Sequence, residues 1–189
     1  MKLTLPNMLT LVRIVFIPVL FVLFWFADYS YWINPACCVL FTVAGFTDWF
    51  DGYLARKLNQ FSSFGAFLDP VADKIMVATA LILVLSADPT IWMVIPVTII
   101  IGRELVISAL REWMAEVGQR ATVKVSALGK VKTGFQMFAI GFMLWKHDIW
   151  IMPTYKVGYL LLLISAGLTL ISMLIYLKAA WPHMKSDAE

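Results

Sequence analysis

Six apolar runs, at about residues 14–34, 35–50, 74–88, 90–110, 133–146 and 153–178, take up most of this 189-residue chain. Each is close to or shorter than the roughly 20 residues a helix needs to cross a bilayer, so some helices must extend into their polar flanks. With 61% hydrophobic and only 14% charged residues, the composition lies far from that of a soluble domain. The expected fold is an all-α integral membrane protein, a six-transmembrane-helix bundle in one domain over residues 1–189. No repeat, low-complexity run or linker points to a second domain. The opening MKLTLPNMLTLVRIVFIPVLFVLFWFA has a signal-peptide flavour, but Arg13 interrupts it and no small-x-small cleavage site is clear, so it reads as a retained first helix.

Orientation follows from the cations. Of the 15 Lys and Arg, only Lys146 and Lys156 fall at one end of such a bundle. The others lie at the two termini, in the second-to-third and fourth-to-fifth connections, or at helix ends beside them. The positive-inside rule then puts both termini and the second-to-third connection in the cytoplasm. The net charge of +3 reflects this asymmetry, and nothing in it suggests a nucleic-acid partner. Trp25, Tyr29, Tyr31 and Trp32 mark the far interface, with Asp28 in the short connection.

The charge that remains is concentrated between Asp48 and Asp73, which read DWFDGYLARKLNQFSSFGAFLDPVAD. Asp48 and Asp51 are three apart and Asp69 and Asp73 four apart, so each pair shares a helix face. A turn near Ser62, Ser63 and Gly65 would bring the two faces together. Four converging carboxylates repel unless a divalent cation joins them, and an all-oxygen set favours Mg²⁺ or Mn²⁺ over zinc or copper. At 100° per residue, Asp48, Asp51, Gly52, Ala55 and Arg56 form one stripe, opposite the bulky Trp49, Phe50, Tyr53 and Leu54. Gly52 and Ala55 make a shallow floor, suited either to a ligand approaching the backbone or to close helix packing. Asp69-Pro70 reads as the cap and early turn of the third helix.

Two further polar groups stand out. Pro6 suits a helix start, and Asn7, Thr10 and Arg13 are spaced to share one side, unless Arg13 merely snorkels to headgroups. Arg103 and Glu104 interrupt an apolar helix. Arg103 needs a partner there, which Glu104, an Asp or a bound anion would supply. With Arg111, Lys124, Lys130 and Lys132 it offers a site for a phosphate-bearing ligand, whereas Arg120 reads as a positive-inside loop residue. The last two helices show no comparable chemistry. His147 and His183 read as solvated, the adjacent Cys37 and Cys38 as small packing residues, and Gly134, Gly141, Gly158 and Gly167 as packing positions.

The pattern Asp48-x2-Asp51-Gly52-x2-Ala55-Arg56-x8-Gly65-x3-Asp69-x3-Asp73 resembles, without a departure, the signature of the CDP-alcohol phosphotransferase family. The opening Pro6-Asn7…Leu9-Thr10…Arg13, the pair Arg103-Glu104 and the segment Gly129-Lys130-Val131-Lys132-Thr133 are similar to the bacterial phosphatidylglycerophosphate synthase branch, so the resemblance covers essentially the whole chain. It implies transfer of a phosphatidyl group from CDP-diacylglycerol to sn-glycerol 3-phosphate with release of CMP, at the cytoplasmic face of the bacterial inner membrane. It implies two metal ions on Asp48, Asp51, Asp69 and Asp73, with Asp73 as general base. It implies CDP-diacylglycerol contacts from Asn7, Thr10, Gly52, Ala55, Arg56 and Ser62, and a homodimer. The acceptor's phosphate would then fall to Arg103, Arg111, Lys124, Lys130 and Lys132. Two alternatives stay open: another acceptor (serine, inositol, inositol phosphate or a phospholipid), and a divalent-cation transporter. Arg56 in the motif and the lack of polar residues through the helices weigh against transport.

Overall fold

The apolar runs fold as six helices in a computed structural model. In chain order they are α1 (Leu5–Trp25), α2 (Ile33–Leu58), α3 (Ser63–Ala87), α4 (Ile91–Glu116), α5 (Ala127–Trp145) and α6 (Thr154–Ser186). Residues 5–58, 63–118 and 127–186 are described, with backbone alone at 5, 6, 48, 49, 51–56, 58, 63, 66, 127–130 and 182–186. Among the described residues there are no strands, and the single β-bridge joins Ile149 to Met152 in the α5–α6 connection. Among the described residues four helices are long and apolar enough to cross a membrane, over Asn7–Trp25, Phe67–Ala87, Ile91–Glu116 and Thr154–Trp181. In α2 the apolar part is shorter, Ile33–Thr47.

Three boundaries differ from the sequence reading. The first helix lies earlier than 14–34. It begins at Leu5, taking in the polar Asn7, Thr10 and Arg13, and stops at Trp25, where the amides of Phe26 and Ala27 bond back to Leu23 and Phe24 at 3.0 Å in tight turns. Ser63 and Gly65 are already helical, which leaves the α2–α3 connection to residues 59–62, outside the described residues. Asp69 is consequently not a helix cap. It sits two turns inside α3, and Pro70 is an interior proline that withholds one helical N–H. Neighbouring helices make such prolines tolerable in membrane spans, and Pro18 and Pro96 are likewise interior.

The helices bury one apolar face inward and turn another outward. One core joins Leu20 of α1, Phe41 and Ala44 of α2, Met76, Ala80 and Leu81 of α3, Val97 and Ile100 of α4, Ile140 and Leu144 of α5, and Leu162 and Ala166 of α6. A second core, Ile107, Leu110 and Met114 against Tyr176 and Ala180, closes α4 on α6. Cys37 is fully buried in the first core and Cys38 packs against it, both as free thiols, in keeping with a packing role. Outward faces carry exposed Val15, Phe21, Val22, Ile82, Leu105, Phe138 and Leu174, as a lipid-facing surface should.

The glycines separate into two kinds. A Cβ at Gly158 would lie 2.9 Å from the Ala139 carbonyl oxygen and 2.7 Å from Met143, so α6 approaches α5 closely there. Nothing lies within 4 Å of a Cβ at Gly134 or Gly167, and at Gly141 only an ordinary 3.8 Å contact with Cys38 arises, so packing explains Gly158 but neither Gly134 nor Gly167. Gly158→Ala should therefore destabilise the bundle by about 1–3 kcal/mol through overpacking. Gly167→Ala should be neutral or slightly stabilising, as Ala is the better helix former. Thermal unfolding of both variants in detergent distinguishes them.

The end of the bundle away from Asp69 and Asp73 is tied by polar links. Tyr155 donates to Asp88 at 3.0 Å and Tyr159 to the Trp92 carbonyl at 3.1 Å, joining α6 to the α3–α4 turn and the start of α4. The His147 ring stacks on Tyr31 at 4.0 Å with Nε2 3.1 Å from the Tyr31 carbonyl oxygen, so it bridges two connections at a partly exposed position. His183 has its side chain outside the described residues.

Candidate active site

The polar side of α1 meets α3. Asn7, Thr10 and Arg13 recur at helical spacing and all three are buried, with Arg13 only 1% exposed. A side chain so enclosed does not snorkel. Thr10 Oγ1 donates to Asp69 Oδ1, which ties the chain's opening to the first carboxylate of α3. Asp73 follows one turn along the same helix and is exposed, lining a cavity of about 160 Å³ between α3, α4 and α5. Lys74, Glu104, Thr133 and Gln136 share that cavity, over an apolar floor that includes Leu81 and Ile100.

Glu104 connects this cavity to a cluster of cations. Its Oε1 accepts from Arg103 at 3.0 Å and from Lys132 at 2.8 Å, so one oxygen joins α4 to α5. Arg103 and Lys132 are both buried. Arg103 also donates to Ser172 of α6 at 3.1 Å, and among the described residues its buried Nε has no partner. The more exposed Arg111 donates to the Tyr176 hydroxyl at 3.0 Å, and both guanidiniums sit over the Tyr176 ring, 5.8 and 5.4 Å from its centroid. Two buried cations thus share one carboxylate, and the exposed Arg111 joins them through the Tyr176 ring. A pair of cations on a single carboxylate leaves a positive charge that suits an anion. Lys74 is committed elsewhere, donating to Ser108 at 2.5 Å.

Of the residues singled out in the sequence, Thr10 and Asp69 are brought together, with Asn7 buried one turn from Thr10 on the same helix, and Arg103 and Arg111 meet at Tyr176 while Lys132 joins Arg103 through Glu104. The backbone of Asp48, Asp51, Gly52, Ala55 and Arg56 runs unbroken along the last turns of α2, but their side chains lie outside the described residues. So do the side chain of Lys130 and the whole of Ser62 and Lys124. Among the described residues no group of three His, Cys, Asp or Glu forms a metal site. The described part of the carboxylate set nevertheless suits a hard divalent ion: Asp69 and Asp73 sit one turn apart, and Thr10 fixes one oxygen of the pair.

Sequence reasoning missed Ser172, Tyr176 and Gln136, having found no chemistry on the last two helices. A signal was present. Ser165, Thr169, Ser172 and Tyr176 recur at spacings of four, three and four along α6, and all four are buried. Polar residues on one face of an otherwise apolar span point inward.

The model of the family described as CDP-alcohol phosphatidyltransferase matches residues 3–176. The chain belongs to this family. It is also similar to curated bacterial proteins named CDP-diacylglycerol–glycerol-3-phosphate 3-phosphatidyltransferase. That of Escherichia coli (strain K12) is 49% identical over 180 residues, covering 95% of this chain and 96% of the relative. That of Shigella flexneri serotype 5b (strain 8401) shows the same identity and coverage. That of Pseudomonas fluorescens is 47% identical over 186 residues, covering 96% and 92%. Within a CDP-alcohol phosphatidyltransferase, the meeting of α1, α3, α4 and α5 around Asp69, Asp73 and Glu104 is the natural place to look for the reacting groups.

Proposed function

We propose that this chain transfers the phosphatidyl group of CDP-diacylglycerol to sn-glycerol 3-phosphate, releasing CMP, and so supplies phosphatidylglycerophosphate to phospholipid biosynthesis. The observation that carries this reading is near-half identity, over almost the whole chain, to relatives named for that reaction. The cation cluster supports it: Arg103, Arg111 and Lys132 suit the dianionic phosphate of a phosphorylated acceptor and have no such group to hold on an uncharged one such as inositol.

In this reading Asp48, Asp51, Asp69 and Asp73 hold two divalent ions, Mg²⁺ or Mn²⁺, which when bound neutralise the diphosphate and the departing CMP. The chain's own groups do the rest. Thr10 orients Asp69, and Arg56 forks onto the diphosphate, with Asn7, Gly52, Ala55 and Ser62 along the nucleotide. The Asp73 carboxylate takes the proton of the attacking hydroxyl as the new oxygen–phosphorus bond forms. The bond from that phosphorus to the CMP oxygen breaks, and its electron pair leaves with CMP. Lys124 and Lys130 complete the acceptor's phosphate pocket. The chain forms one domain of six spans with both termini and the site on the cytoplasmic side of the bacterial inner membrane. There acyl chains stay in lipid while nucleotide and acceptor come from water. A homodimer is the proposed assembly.

The test is CMP release by the purified protein in detergent with CDP-diacylglycerol and Mg²⁺, comparing glycerol 3-phosphate with serine, inositol, inositol phosphate and phosphatidylglycerol. Release that depends on glycerol 3-phosphate and stops with chelator is expected. Release with a different acceptor would leave the carboxylate chemistry standing and overturn the phosphate pocket.

A further inference from the structure

Gln136 lies in the interior of α5 and is only 5% exposed, yet it lines the cavity that Asp73 opens into. Among the described residues its amide takes no hydrogen-bond partner. The amide opens into the cavity rather than into packed apolar side chains, so its hydrogen-bonding capacity is offered to whatever fills that space. The other polar groups of the cavity are already engaged: Lys74 on Ser108, and Glu104 on Arg103 and Lys132. Gln136 also stands one turn from Lys132 on the same buried side of α5, which puts it next to the cation cluster.

We propose that Gln136 selects the acceptor by binding the hydroxyl of glycerol 3-phosphate that does not react. This rests on the reaction assigned above and adds the residue that reads the acceptor's carbon skeleton. Transfer uses the primary hydroxyl, whose proton passes to Asp73 at the cavity's mouth, and the phosphate lies toward Lys132. The secondary hydroxyl between them faces the Gln136 amide, which both donates and accepts and so satisfies both roles of an alcohol. A space of about 160 Å³ is on the scale of a three-carbon polyol rather than of a second diacyl lipid.

The experiment compares sn-glycerol 3-phosphate with 3-hydroxypropyl phosphate, which lacks only the secondary hydroxyl, in the wild-type protein, Gln136→Leu and the near-isosteric Gln136→Met. The wild type should prefer glycerol 3-phosphate by about 100-fold or more in kcat/KM, because a site built to bond a hydroxyl rejects the analogue without it. Both variants should lose about 100-fold on glycerol 3-phosphate and change less than about threefold on the analogue, so the preference collapses. The KM for CDP-diacylglycerol should stay unchanged. Turnover of the analogue shows that the variants are folded. Equal losses on both acceptors, or a preference that survives in the variants, would overturn the proposal. A wild type that uses neither acceptor would remove the reaction assignment itself.

Discussion

Asp73→Asn should lower turnover by about a thousandfold or more while leaving CDP-diacylglycerol binding measurable. Asp73 is the exposed carboxylate of α3, one turn from the Asp69 that Thr10 holds, and it opens into the cavity beside Glu104. An amide of the same shape cannot accept the hydroxyl's proton, and general-base catalysis alone accounts for about 10²–10⁴-fold. As a proposed metal ligand it loses charge too, but three carboxylates remain to hold an ion near the diphosphate. Single-turnover CMP release, with a parallel binding measurement for CDP-diacylglycerol, separates the two effects. Near-normal turnover would end Asp73's assignment as the base. Loss of binding in proportion to turnover would make it a metal ligand only.

The second large effect is expected at Lys132. Lys132→Ala should raise the KM for glycerol 3-phosphate by about 100-fold and leave that for CDP-diacylglycerol within about twofold. Removing a buried cation from a hydrogen-bonded charge cluster costs on the order of 2–5 kcal/mol, and each 1.4 kcal/mol is a factor of ten in affinity. Here the loss has two sources. The phosphate loses an ammonium, and Glu104, now held by Arg103 alone, presents more of its negative charge to the acceptor. Lys132→Arg keeps the charge and should cost far less. Steady-state kinetics with each substrate varied in turn decides the matter, and equal effects on both KM values would take Lys132 out of the acceptor pocket.

Much of this polar cluster is legible in the sequence. Spacing alone aligned Asn7, Thr10 and Arg13, because residues three apart share a helix face, and burial of all three agrees. The grouping of Arg103, Arg111 and Lys132 was legible as a set of cations in apolar surroundings. Their partners were less so. Glu104 was one of several candidates for Arg103, and nothing local indicated that its one oxygen would also take Lys132 from α5. Pro70 misled the placement of the third helix, since proline favours a first turn in water but is tolerated inside a span whose neighbours satisfy the freed backbone. The four glycines of α5 and α6 looked alike in the sequence, and only the approach of α6 to Ala139 and Met143 distinguished Gly158.

The sequence by itself determined that the chain is helical and membrane-bound, where its carboxylates and cations fall along each helix, and which faces they share. These follow from hydrophobicity and from a 3.6-residue period, both properties of a single segment. Tertiary structure decided which faces meet: Thr10 with Asp69, Glu104 with Lys132, and Ser172 and Tyr176 with the two arginines. Helices in lipid gain little hydrophobic energy by associating with one another, so their pairing is set by close packing and by polar groups seeking partners across the bundle. Such pairings depend on residues from 28 to 69 positions apart, a relation that no local pattern encodes.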